Sequence, residues 1–367
     1  MVTRLNKYLL LPMTLFAVVT CILFAANSFF DGSGIQPWPS LHAHWDGDLC
    51  AKILGGTVNG NRVVGDMEPQ GETPRDVVVE DVADGSIFFH ETSCSKDLNP
   101  RQACAVESAA RTNPKTQVYV LMTSPNVSIG RDGISRYARL LSLSYPNVRV
   151  NRLDLRTYSQ GTPMEEWVAG GHLTASKWFM SHASDALRYL TLWRYGGTYL
   201  DLDMVLMKPL VGMRNFAGAE GNEDVAAGVI NVDGPGGPGH VLADAFVREF
   251  VSDFRGYEWG HNGPGVISRV LARECNTSVG AWSGCPQGFR VYPPSAFYPI
   301  PWREWRQYFN EKGASREAMG ATNQAVAAHV WNRHSVGAKV RVGSHQLYGL
   351  LAARYCPVVY RNCGKTF

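Results

Sequence analysis

Between residues 87 and 150, short apolar runs alternate with stretches of helical spacing, and this alternation limits the fold more than any other feature of the chain. Ile87-Phe88-Phe89 reads as a strand. Residues 104–112 carry Ala, Val and Ala on one side and are stopped by Pro114. Val118-Tyr119-Val120-Leu121-Met122 reads as a second strand, 134–144 as a second helix, and Val148-Arg149-Val150 as a third strand. Strand, helix, strand, helix, strand predicts βαβ units and a mostly parallel α/β sheet. The clearest helix follows at 181–195. Ala183, Ala186, Leu187 and Leu190 fall at i, i+3, i+4 and i+7, and Gly196-Gly197 ends it. It runs straight into residues 198–206, apolar except at Thr198, Asp201 and Asp203, which read as one continuous strand.

The N-terminus sets the compartment. Arg4 and Lys7 precede a run that begins at Tyr8 and carries no charge until Asp31. A bilayer-spanning helix needs about 20 apolar residues, and this run supplies them. Basic residues on its N-terminal side hold that end in the cytoplasm. The rival is a cleaved signal peptide ending near Ala25-Ala26-Asn27-Ser28, but its apolar core would be only about 7–15 residues. The longer run favours a retained anchor. The expected layout is a cytoplasmic tail at 1–7, a transmembrane signal-anchor at 8–30, a Gly- and Pro-broken stem at 31–85 and a luminal domain at 86–367.

Eight cysteines fit a lumen. Cys21 lies in the span. None of the other seven forms C-x-x-C, so a structural zinc site has little support. Oxidising conditions pair most of them, and an odd number leaves one thiol free or bridged to another chain. Cys94 with Cys104 and Cys275 with Cys285 are the simplest loops. Asn126-Val127-Ser128 and Asn276-Thr277-Ser278 are glycosylation acceptors in that compartment.

At 45% hydrophobic and 18% charged the chain is not globally disordered, and a single long uncharged run excludes a multi-span transporter. Lys+Arg 35 against Asp+Glu 32, with no basic block, gives no electrostatic footprint for nucleic acid.

Asp201 and Asp203 carry the chemistry. On a continuous strand, side chains two apart share a face, so both carboxylates would point at one cation. Hard oxygen ligands suit Mg²⁺ or Mn²⁺, which in turn hold a diphosphate. Burying two acids between Tyr199-Leu200 and Met204-Val205-Leu206 requires a compensating charge. Asp46-Gly47-Asp48 repeats the pattern in the stem and reads as a solvated turn. Asp185 and Arg188, three apart on the preceding helix, share a face. They are either a surface ion pair or neighbours of the same pocket.

Ser184-Asp185-Ala186-Leu187-Arg188, followed by Gly196-Gly197-Thr198-Tyr199-Leu200-Asp201-Leu202-Asp203, resembles the S-D-x-x-R…G-G-x-Y-x-D-x-D signature of sugar-nucleotide glycosyltransferases. Phe88-Phe89-His90-Glu91-Thr92-Ser93, Trp259-Gly260-His261-Asn262-Gly263-Pro264, His329-Val330-Trp331-Asn332 and Ala353-Arg354-Tyr355-Cys356-Pro357 narrow the resemblance. It is to the lactosylceramide 4-α-galactosyltransferase / α1,4-N-acetylglucosaminyltransferase family, from about residue 87 to about 357.

The resemblance implies a GT-A (Rossmann-like) catalytic domain, a Golgi type II protein, a UDP-sugar donor, Mn²⁺ and retention of configuration. Carried over by position, Asp201 and Asp203 would bind the metal and diphosphate, and Asp185 and Arg188 the donor sugar. Tyr199 would lie beside the nucleotide, and Glu91 and Thr92 near the uridine. His329 is the choice for a third metal ligand, with His261 second. Where the family often reads Leu-Asn-Gly-Ala-Phe, this chain has Ala226-Ala227-Gly228-Val229-Ile230-Asn231. That departure leaves the donor sugar open among galactose, GalNAc and GlcNAc.

Two functions follow. The first is a Golgi α1,4-glycosyltransferase acting on a terminal sugar of a glycosphingolipid or glycoprotein. The second is a catalytically silent luminal glycan-binding protein on the same fold, for which intact Asp185, Arg188, Asp201 and Asp203 would be superfluous.

Overall fold

The first two apolar runs that the sequence marks as strands are buried along their length and pair with each other, and the third, with Arg149 exposed, pairs with the second. A computed structural model of the chain describes residues 82–124, 135–221, 224–275, 285 and 288–367. The expected anchor, most of the stem, Asp46-Gly47-Asp48 and both glycosylation triplets lie outside these. No helix among the described residues is long and apolar enough to cross a membrane.

Strand β1 (Ile87–Glu91) is followed by helix α1 (Pro100–Thr112), β2 (Val118–Met122), helix α2 (Arg136–Ser144) and β3 (Val148–Arg152). Helix α1 starts four residues before the expected point. Asn99 and Gln102 form a reciprocal capping box there, with Pro100 in the first turn. After two one-turn helices, the long α3 (Phe179–Tyr195) leads into β4 (Gly197–Leu200). Next come β5 (Met204–Leu206), β6 (Phe216–Ala219), β7 (Val225–Val232), α4 (His240–Ser252) and α5 (Pro264–Cys275). The C-terminal part holds β8 (Arg290–Tyr292), β9 (Ala327–His329) and α6 (Leu347–Tyr355) among shorter turns of helix.

Seven strands form one sheet in the order β3-β2-β1-β4-β7-β6-β8. The run from β3 to β4 is parallel; β7 is antiparallel to both β4 and β6, and β8 is parallel to β6. The mostly parallel α/β expectation holds. Alternate residues serve opposite faces. Ile87 and Phe89 join the core that α1 covers, and Phe88 joins the core that α3, α4 and α5 cover.

Residues 198–206 are not the continuous strand expected from the sequence. Residues 201–203 form a turn closed by the Met204 amide on the Asp201 carbonyl at 3.0 Å. Beyond it, β5 leaves the large sheet and pairs antiparallel with β9, placing Met204 opposite His329. The turn from α3 into β4 requires glycine. Gly196 and Gly197 have φ of 64° and 81°, and a Cβ on either would lie 2.3 Å from backbone of residue 234 or 86.

Cys104 pairs with Cys356, tying α1 to the end of α6, and Cys275 pairs with Cys285 as expected. Cys94 is also disulfide-bonded, so the expected Cys94–Cys104 loop is replaced. A helix that packs against a distant segment offers its thiol to that segment, whatever lies nearby in sequence. Cys363 is the free thiol among the described residues.

Candidate active site

In open α/β sheets ligands collect beyond the carboxyl ends of parallel strands, where the strand order reverses. Here that place lies between β1, which ends at Glu91, and β4, which delivers Asp201. One ligand atom from each of Asp201, Asp203 and His329 falls within a mutual 4.8 Å. His329 Nε2 lies 3.1 Å from Asp203 Oδ1 and 3.7 Å from Asp201 Oδ2. The turn at 201–203 and the β5–β9 register produce this convergence, so the i, i+2 spacing works through a break in the strand rather than along it.

The chain positions both acids firmly. Asp203 Oδ2 accepts the Asn332 amide at 2.7 Å, and its carbonyl accepts the Val330 amide at 3.0 Å. Trp331, between them, takes a left-handed φ of 58°, an uncommon conformation for a bulky residue and one that collects at functional sites. Asp201 Oδ1 accepts the Tyr199 hydroxyl at 2.7 Å. Gly228 packs so close that a Cβ there would sit 3.1 Å from Asp201 Oδ2.

Asp185 and Arg188 are buried, not a surface pair. Arg188 lies 2.9 Å from Asp185 Oδ1 and 3.3 Å from Asp201 Oδ1, and donates to the Ala227 carbonyl at 2.6 Å. Its guanidinium rests 4.6 Å from the Tyr199 ring centre. Arg188 therefore binds α3 to the acidic turn.

Electrostatics follow from sharing one guanidinium between two carboxylates. Burial pushes the Asp185 carboxyl up to about 7 against the pull of Arg188. At Asp201 burial also opposes ionisation, but Arg188 and His329 hold it down at about 2. At His329 burial disfavours the cation, yet Asp203 and Asp201 raise it to about 10. Two clustered carboxylates draw positive charge to the imidazole, which is the environment a divalent cation would satisfy. Two carboxylate oxygens and an imidazole nitrogen suit such an ion.

The remaining expected residues stand further back. Tyr199 is 1% exposed and acts on the site through its bond to Asp201. The Glu91 carboxylate is buried, raised by that burial, and accepts the amides of Ser93 and Ser95. Thr92 donates to the Met180 carbonyl, joining the end of β1 to the start of α3. His261 is not in the cluster: its Nε2 meets Asp253 at 2.9 Å.

Sequence reasoning assigned no role to four residues now seen here. Gly228 and Gly263 are recognisable only from three-dimensional approach, the latter because a Cβ would lie 2.7 Å from Asp185 Oδ1. Tyr298 is buried, with a raised hydroxyl pKa due first to burial and then to Asp201. Glu220, at the end of β6, is raised by burial and lowered in turn by His329. No sequence signal pointed to Glu220.

Residues 99–222, which include the acidic turn and Arg188, match a glycosyltransferase sugar-binding region containing a DXD motif. The chain is therefore a glycosyltransferase. Residues 235–363, which include His329 and Asn332, match the α1,4-glycosyltransferase conserved region. Lactosylceramide 4-alpha-galactosyltransferase of Pan troglodytes is 35% identical over 277 residues, 75% of this chain and 76% of that protein. Alpha-1,4-N-acetylglucosaminyltransferase of Homo sapiens is 28% identical over 76% of this chain and 81% of its own length. The chain belongs to this α1,4-glycosyltransferase family. Among solved structures, the galactosyltransferase LgtC with donor and acceptor sugar analogs matches 75% of this chain and 95% of its own, at 16% identity and a TM-score of 0.36.

Proposed function

We propose that this enzyme transfers galactose, or a related hexosamine, from a UDP-sugar to a terminal sugar of a glycosphingolipid, forming an α1,4 linkage with retention. The carrying observation is the convergence of Asp201, Asp203 and His329 at the carboxyl end of β4, with Arg188 bridging Asp201 to Asp185. Family membership and the names of the relatives support the acceptor class. A GT-A arrangement is the finer reading of the fold, and Mn²⁺ the finer reading of the cation.

Asp201, Asp203 and His329 would hold that ion, which supplies charge stabilisation to a departing nucleoside diphosphate. Arg188 orients Asp185 and Asp201 by bridging the two carboxylates. The Asp185 carboxylate, fixed at 2.9 Å by Arg188, is placed to accept donor-sugar hydroxyl groups. Its engagement and burial make it a poor nucleophile. A front-face reaction therefore fits best, in which the leaving diphosphate oxygen takes the proton of the incoming hydroxyl.

A donor-by-acceptor screen of the detergent-solubilised full chain, with NMR of the first product, tests the reading. Transfer from UDP-Gal, UDP-GalNAc or UDP-GlcNAc with an α linkage is expected. A β product, or no transfer with any pair, would contradict it. Glu220→Gln should lower kcat by less than about tenfold; a loss near 10⁴-fold would instead point to a covalent nucleophile.

The same reading places the protein in the Golgi membrane as a single-pass type II chain, anchored by residues 8–30. N-terminal sequencing of the mature protein checks this. A start near Asn27 would refute the anchor.

A further inference from the structure

Arg333 is a half-buried cation with neither a hydrogen bond nor an ion pair to any of the described residues. Burial alone acts on its ionisation, lowering it. Its guanidinium lies over two indoles, 3.8 Å from the ring centre of Trp259 and 5.1 Å from that of Trp178. A guanidinium carries five N–H donors in its own plane, and an aromatic ring contact consumes none of them.

One side of this cluster is fastened to the metal-binding group and the other to α3. Arg333 follows Asn332, whose amide holds Asp203. Trp259 sits on the 255–263 loop, which is latched to α3 along its length. Trp259 Nε1 donates to Ser181, the Glu258 carbonyl meets His182 Nε2 at 3.2 Å, and Gly263 abuts Asp185. The Asn262 side chain closes the loop internally, accepting the Arg255 amide and donating to the Arg255 carbonyl. This loop holds two of the exposed aromatic side chains, Trp259 at 41% and Tyr257 at 71%. An exposed indole and an exposed phenol on a pre-ordered loop beside a catalytic group are a binding surface in want of a ligand.

We infer that Trp178, Trp259 and Arg333 form the seat for the terminal hexose of the acceptor glycan. This rests on the glycosyltransferase reading above. A pyranose offers apolar C–H faces to the exposed ring of Trp259, beside Arg333, and a rim of hydroxyl groups to the guanidinium edge, while Trp178 backs the guanidinium. A diphosphate would use the guanidinium but has no need of the aromatic faces. A cationic ligand would be repelled.

The full chain in detergent, with methyl β-lactoside as probe, tests the seat. Saturation-transfer NMR reads lactoside binding with and without UDP and Mn²⁺, and kinetics read the KM for lactoside. Trp259→Ala and Arg333→Gln should each weaken lactoside binding and raise its KM by about tenfold or more. UDP–Mn²⁺ stabilisation and acceptor-free hydrolysis of the donor should not change. Trp259→Phe should restore most of the affinity. Unaltered lactoside binding in Trp259→Ala would overturn the proposal, as would a wild-type protein that binds no lactoside. So would an Arg333→Gln protein whose only loss is in UDP affinity, which would make Arg333 a phosphate contact. Failure of UDP and Mn²⁺ to stabilise the wild type would count against the enzyme reading alone, because lactoside binding is read without nucleotide as well.

Discussion

His90 shows what the region behind the catalytic group demands of a side chain. It is 4% exposed on β1, its Nε2 meets the Thr191 hydroxyl at 3.0 Å, and its ring lies 5.1 Å from that of Tyr199. Burial, and then the nearby Arg188, hold its pKa down at about 3. The folded state therefore refuses a proton that the unfolded chain accepts below about 6.5. The penalty is absent above pH 6.5, grows as pH falls, and is complete below about 3, at roughly 4–5 kcal/mol. His90→Asn should remove it. Tm measured from pH 7 to pH 4 should fall less steeply in the variant than in the wild type. Parallel curves would show that His90 does not set the acid sensitivity. The residue types of the site were legible because acids inside apolar runs need a reason. Asn332 and Gly263 were not, because a backbone amide aimed at a carboxylate and a missing Cβ leave no mark in a linear pattern.

Among the elements, α1 carries more than its share. Its buried Glu107 accepts the amides of Val358 and Val359 at 2.9 and 2.7 Å and bonds the Tyr145 hydroxyl. Arg101 donates to the Ser335 carbonyl at 2.8 Å, just beyond the segment that holds Asp203. Cys104–Cys356 closes a separation of 252 residues across the same contact. Replacing both cysteines by serine should lower stability by about 2–5 kcal/mol. Tm should drop by many degrees, while UDP–Mn²⁺ binding at temperatures below unfolding should persist. An unchanged Tm would mean that packing and Glu107 alone secure α1. Element identity was legible from periodicity at β1, β2, β3 and α3. The break at 201–203 was not, because β4 and β5 are both apolar and differ only in their partners. Pairing choice depends on β9, more than a hundred residues away.

Over the whole molecule, a mostly parallel sheet brings one acidic turn, one helix and one C-terminal strand to a common point. No single segment contains a site; Asp185, Asp201 and His329 come from three elements. Their assembly is the property that separates a sugar-nucleotide enzyme from a glycan-binding relative. Asp203 gives the sharpest access to it. Asp203→Asn is preferable to alanine, because an amide oxygen can still accept the Asn332 amide and spare the 329–335 segment. Thermal unfolding of the full chain with and without UDP and Mn²⁺ is the direct measurement, with Asp46→Ala as the control. At ligand about a hundredfold over Kd, binding adds about 2.7 kcal/mol to stability. The wild type and Asp46→Ala should show that stabilisation and turn over donor, whereas Asp203→Asn should fold with neither. A folded Asp203→Asn protein that UDP and Mn²⁺ stabilise as they do the wild type, with near-normal turnover, would contradict a donor site at Asp201, Asp203 and His329.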